Sequence, residues 1–258
     1  MSNVSSSEIR REFAKSKVGL IGIGILASLI ILSVIAAVTI PIDTFKQWNN
    51  PGNWISYPKS SAPIWVNYFM TQKIPEHLIL DNPSTITKDD VISLTSHQFG
   101  VQYHYDDFPS DFIYEYSVEY SGSQLLQISV IRPDQSQILL LSRSLPHSDT
   151  KIVHHERIFS TDNSIKKNIQ IYFSEIGFYN QNTSSEDMIF ANKDGQVLKG
   201  DYLFLVNIFG VEENVEIIDS KLILGGKVFG IMGTDELRRD LAVGLIWGTP
   251  LALFIGIS

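Results

Sequence analysis

The chain is 258 residues long, 44% hydrophobic and 11% aromatic, with a net charge of −8 and no cysteine. The absence of thiols excludes disulfides, thiol catalysis and cysteine-ligated metal. The acidic excess lies in residues 43–232, which carry −9; it argues against nucleic acid and against adhesion to anionic lipid.

Arg10, Arg11, Lys15 and Lys17 precede an uncharged apolar run, Val18–Ile40. Its 23 residues rise roughly 35 Å as a helix, enough for a ~30 Å hydrocarbon layer. The basic flank, against only Asp43 and Lys46 just after the run, predicts an uncleaved signal anchor with a cytoplasmic N-terminus. Residues 1–17 are thus read as cytoplasmic and 18–42 as transmembrane helix 1. Gly22-Ile-Gly24-Ile-Leu-Ala27 fits the dinucleotide-binding fingerprint. Inside an apolar span, with no strand before it, the same pattern points instead to close approach of a neighbouring helix.

Residues 43–110 form a Pro/Trp-rich extracytoplasmic segment. Trp48, Trp54, Tyr57, Trp65 and Tyr68 follow the first apolar run, where aromatic side chains commonly sit at headgroup level. The prolines forbid a continuous helix; short helices are expected at 64–72 and 88–96. Residues 111–232 read as a β-rich domain. Tyr114 to Tyr120 alternates strictly between aromatic or apolar and polar residues, the period of a half-buried strand. Further strands are expected at 124–131, 137–142, 168–174, 187–191, 196–198, 202–208 and 216–224, with a hairpin turn at Asp194-Gly195. The pattern predicts an antiparallel sandwich. Gly200-Asp201-Tyr202 suggests a tyrosine corner.

Catalytic constellations are weak. His154-His155-Glu156 is the densest group of ligand-type residues, but neighbours on a strand point to opposite faces and do not share a metal readily. Asp106, Asp107 and Asp111 lack the spacing of a calcium loop. Gly225-Gly226-Lys227 lacks the spacing of a phosphate-binding loop, and no G-x-S-x-G elbow is present. No catalytic, cofactor-binding or metal-binding residue is assigned, and no cofactor is expected. Asn182-Thr-Ser184 is a sequon for N-glycosylation.

The C-terminal block, 233–258, reads Gly233-Thr234-Asp235-Glu236-Leu237-Arg238-Arg239-Asp240, followed by the apolar run 241–257. Thr234 or Asp235 is expected to cap a helix starting near Glu236. The block resembles the G-T-D-x-x-G-R-D segment that opens the second membrane helix of dipeptide/oligopeptide-type ABC transporter permeases. Phe13-Ala-Lys-Ser-Lys17-Val-Gly19-Leu-Ile-Gly22 is similar to that family's first-helix segment, F-x-K-x-K-x-G-L-x-G. Trp54 to Phe69 looks like the Pro/Trp loop of archaeal members. The resemblance covers about 10–70 and 233–257. The family usually has glycine where Arg238 stands.

The resemblance implies that Gly233, Thr234, Asp235, Arg239 and Asp240 form the family motif, and that the β-rich region is an insertion between helices one and two. The chain would then be the N-terminal part of a permease subunit in the plasma membrane, not an enzyme. Its large loop would lie outside the cell. The implied partners are a second homologous permease, cytoplasmic ATPase subunits, an extracytoplasmic substrate-binding protein and the lipid bilayer. The family's later helices and ATPase-docking loop would lie beyond Ser258, so the chain as given is expected to be a truncated product, half of a split gene or an engineered fragment, unable to transport by itself. The alternatives are a membrane-anchored extracytoplasmic β-domain for binding or adhesion and an anchored surface enzyme.

Overall fold

The structure, a computed structural model, describes residues 15–39, 41–88, 93–177, 183–210 and 215–257. The chain divides into two compact units, one made of residues 1–54 and 239–258 and the other of residues 55–238.

The first unit is helical. Helix α1, Lys17–Thr39, begins where the Ser16 hydroxyl accepts from Gly19 N at 3.2 Å and ends two residues before Pro41, which has no N–H to add to a helical ladder. Val18, Ile23, Ile31 and Val38 are among its many exposed apolar side chains. By length and composition it is able to cross a membrane. A short helix α2, Ile42–Lys46, follows. The last helix of the chain, Leu241–Ile257, is apolar throughout and contains Pro250; it lies against α1.

The second unit is an antiparallel β-sandwich. Its four-stranded sheet runs β1 (Leu78–Leu80), β9 (Val215–Leu224), β4 (Phe112–Gly122), β7 (Ser148–Phe159). The five-stranded sheet runs β2 (Ser84–Lys88), β3 (Ser93–Tyr103), β8 (Gly200–Gly210), β5 (Leu125–Ile131), β6 (Gln137–Ser144). Alternate residues of each central strand enter one core: Phe112, Tyr114, Tyr116, Val118 and Tyr120 from β4 meet Tyr202, Phe204, Val206 and Ile208 from β8. Burial of these large side chains between two sheets is the main stabilising term of such a layer pair. Tyr202 Oη donates to Leu198 O at 2.6 Å, the back-bond of a tyrosine corner.

Several expectations are corrected. Residues 168–174 are not a strand but part of helix α3, Asn163–Glu175, whose Ile165, Ile169 and Phe173 are buried at four-residue spacing. Residues 187–191 belong mainly to helix α4, Ser185–Phe190, capped by the Ser184 hydroxyl accepting from Asp187 N. Residues 196–198 contribute only the Ala191–Val197 bridge, closed by a turn with Gly195 at φ +76°. Ile64–Tyr68 is a short 3-10 helix, whereas the described part of 88–96 is strand, Lys88 ending β2 and Ser93 beginning β3, with 89–92 outside the described residues. The sandwich also begins earlier than residue 111, since β1 to β3 lie within 43–110.

Candidate functional site

Three of the five motif residues lie in the second unit, in a joint where the segment 57–77 is laced to the segment 225–238. Gly233 has φ +75°, and a Cβ there would stand 2.2 Å from Ser61 O. Only glycine satisfies both conditions. Thr234 is 4% exposed. Its hydroxyl donates to Pro58 O at 2.7 Å, accepts from Ser61 N at 3.0 Å and lies 2.9 Å from Ser61 Oγ. Asp235 O accepts from Ser60 N and from Arg238 N, both at 3.0 Å, while Asp235 Oδ1 accepts from Leu237 N at 2.9 Å. Ala62 N donates to Lys227 O, Phe229 N to Ala62 O and Ile64 N to Gly230 O. Two stretches some 170 residues apart in sequence thus share a backbone ladder.

Arg238 stands at φ +66°, a conformation that costs a side-chain-bearing residue about 1–2 kcal/mol. Its guanidinium donates through Nη1 to Tyr57 O at 2.6 Å and through Nη2 to Asp111 Oδ2. These charge-assisted bonds hold the turn. A helix starting near Glu236 is therefore excluded. The last helix, which we label α5, starts at Leu241.

The same joint packs the Gly225-Gly226 pair. A Cβ on Gly226 would stand 2.2 Å from His77 N, so Gly226 serves close backbone approach, whereas a Cβ on Gly225 would strike the Asp111 and Ser110 side chains. His77 meets the Phe229 ring edge-on at 5.4 Å. Burial outweighs the opposing pull of Asp111 and lowers its pKa to about 4. The three loop carboxylates each hold a cation: Asp106 pairs with Lys199, Asp107 with Lys227 and Asp111 with Arg238.

The remaining two motif residues belong to the helical unit. Asp240 caps α5, its Oδ1 accepting from Ala242 N at 2.9 Å; Thr234 and Asp235 do not. Arg239 lies over the Trp48 ring at 4.8 Å, and the Trp48 ring edge would collide with a Cβ on Gly244.

The histidine pair separates as strand geometry requires. His154 turns toward Glu156 at 3.3 Å, and His155 to Ser117 Oγ. Glu156 also accepts from Tyr116 and Arg143. Burial raises its pKa, but these hydrogen bonds outweigh it and hold the carboxyl below its ordinary value. Between the sheets, His97 Nδ1 lies 2.6 Å from Ser220 Oγ. Among the described residues, no group of three or more acidic or histidine side chains is arranged to hold a metal. Asn182 lies outside the described residues. Sequence reasoning missed Tyr57, Pro58, Ser61 and Asp111 as partners of the motif. Gly233, at φ +75°, was a signal of a turn there.

No family model matches the chain, and no curated protein matches it. Solved structures similar to part of it include an isomalto-dextranase of Arthrobacter globiformis T6 complexed with panose, at 8% identity and TM-score 0.28 over 57% of this chain and 23% of that one. Infectious bursal disease virus, Gx strain, gives 8% identity and TM-score 0.28 over 59% and 32%. A module named TmCBM61, in complex with β-1,4-galactotriose, gives 8% identity and TM-score 0.24 over 63% and 93%. The chain spans about a quarter of the length of the first and a third of the second. Similarity at this level carries no argument about function.

Proposed function

We propose that the chain is the N-terminal part of a permease subunit of a binding-protein-dependent ABC importer for peptides or similar solutes, with the β-sandwich inserted between its first two membrane helices. The observation that carries this reading is the joint. Two of the three sequence blocks that resemble the family, 54–69 and 233–240, are hydrogen-bonded to one another through Ser60, Ser61, Thr234 and Asp235, and the sandwich leaves and re-enters the chain between them. The left-handed backbone at Arg238 also supports it, because the family's usual residue there is the one that takes this conformation freely.

On this reading α1 spans the plasma membrane with the N-terminus in the cytoplasm, α5 opens the second span and the sandwich faces outside. The subunit performs no covalent chemistry. ATP hydrolysis on separate cytoplasmic subunits drives alternating access with a second homologous permease, and an extracytoplasmic binding protein delivers the solute. The alternative, an anchored binding module, draws on one feature, a cavity of about 560 Å³ beside Arg132, Tyr172 and Phe173.

Disruption of the coding sequence in its host separates the two. The permease reading expects loss of ATP-dependent uptake of a solute class such as short peptides, restored by the intact locus. Unchanged uptake of peptides and oligosaccharides, with loss of surface binding instead, would favour the anchored module.

A further inference from the structure

Arg132, which follows β5, is 4% exposed. An arginine buried that far is ordinarily fully paired, and here the pairing is incomplete. Nη2 donates to Ala191 O, just after α4. The same nitrogen stands 3.7 Å from Asp134 Oδ2, beyond hydrogen-bond reach. Asp134 Oδ1 is engaged by Ser136, accepting from its N at 3.0 Å and from its hydroxyl at 2.5 Å. Arg132 Nε is buried with no hydrogen-bond partner. The guanidinium lies over the ring of Phe173, on α3, at 5.8 Å, and Tyr172 meets that ring edge-on at 5.2 Å.

These side chains border the cavity of about 560 Å³, whose described lining also includes Ile176, Asn192 and Lys193. That size suits a small organic ligand. Its charged lining is Arg132 and Lys193 against Asp134. Asp187 and Asp194 line a neighbouring hollow that shares Ala191 and Lys193, so Arg132 is the principal cation of the larger cavity.

We infer that this cavity is a binding site for small organic carboxylates, with Arg132 as the anchor and Tyr172, Phe173 and Ile176 as a wall for the apolar body. The guanidinium fork matches a planar carboxylate, which supplies the acceptor that Nε lacks. Stacking on Phe173 holds the plane of the fork. A neutral carbonyl could accept the same bond, but without charge assistance. Asp134 offsets part of the arginine charge, so a monoanion with an apolar body suits the cavity better than a phosphate. The inference goes beyond the permease reading and does not rest on it, because the whole site lies within residues 55–238. To the anchored-module reading it adds a ligand class.

The test uses the full chain purified in detergent micelles. Equilibrium dialysis compares N-acetylphenylalanine, a monocarboxylate with an aromatic body, with its uncharged primary amide, against empty micelles. Saturable binding is expected, at least tenfold tighter for the acid than for the amide, with inorganic phosphate a poor competitor. Photocrosslinking with 4-benzoylbenzoate, mapped by mass spectrometry, should label peptides holding 172–176 or 191–193, and N-acetylphenylalanine should suppress that labelling. Arg132→Lys keeps the charge but loses the fork and should weaken binding at least tenfold. Should that buried substitution fail to fold, an exposed wall position decides. Ile176 is 53% exposed, and Ile176→Glu should weaken binding at least fivefold while Ile176→Lys should not. No saturable binding up to about 10 mM acid, equal binding of acid and amide, tighter binding of phosphate, crosslinks elsewhere, or equal effects of the two Ile176 charges would overturn the inference. None of these results touches the permease reading, which is tested by uptake.

Discussion

A left-handed arginine is an expensive way to make a turn, and Arg238 is retained there by what its guanidinium holds. Arg238→Ala keeps the unfavourable φ, removes the bonds to Tyr57 and Asp111 and leaves the Asp111 carboxylate, 13% exposed, without its cation. A loss of about 2–4 kcal/mol is expected. Arg238→Gly loses the same bonds but relieves the backbone, so it should be about 1 kcal/mol less harmful. Thermal unfolding of the purified chain should therefore rank wild type above Arg238→Gly and Arg238→Ala lowest. An alanine variant as stable as the glycine one would contradict the role given to the turn. His77 makes a separate prediction. Its pKa of about 4 in the folded chain lies below the ordinary value of about 6.5, so the unfolded chain binds the extra proton first. Stability contributed by neutral His77 is fully present above about pH 6.5 and is lost as pH falls toward 4, by about 3 kcal/mol at most. His77→Phe should flatten the acid slope in that window relative to wild type; an unchanged slope would show that His77 is not its source.

Among the elements, helix α3 separates what alternation reveals from what it hides. Ile169-Gln-Ile171-Tyr-Phe173 alternates like a strand and is rich in β-formers, yet Ile165, Ile169 and Phe173 line one helical face and are buried, while Ile171 is 48% exposed. A seven-residue window is too short to tell the periods apart; the choice is made by packing against the sandwich. Ile169→Ala should cost about 2–4 kcal/mol in denaturant unfolding, and Ile171→Ala less than about 1 kcal/mol; equal costs would point to a strand-like environment. Strands β4, β5, β6, β8 and β9 were legible because each presents one apolar face. In β3 the signal of Phe99, Val101 and Tyr103 was present but masked by the Pro/Trp-rich composition around it. Strand β2, Ser84–Lys88, is exposed along its whole length and carries no burial pattern to read. For the candidate site, Gly233 to Asp240 was legible as a motif. Its partners were not, because a contact between Thr234 and Pro58 is decided by the fold and leaves no local period in either segment.

At the scale of the whole molecule, the proposed reading is that the sandwich of residues 55–238 lies outside the cell and that α1 and α5 cross the membrane. The acidic middle region, the basic N-terminal flank and the exposed apolar surface of α1 all enter that claim, and each would be explained differently if the chain were soluble. The most direct measurement is the sidedness of single cysteines in intact cells, probed with a membrane-impermeant thiol reagent before and after lysis. On the proposed topology Asp149→Cys is labelled in intact cells and Ser5→Cys only after lysis. Labelling of Ser5→Cys in intact cells, or protection of Asp149→Cys until lysis, would contradict it.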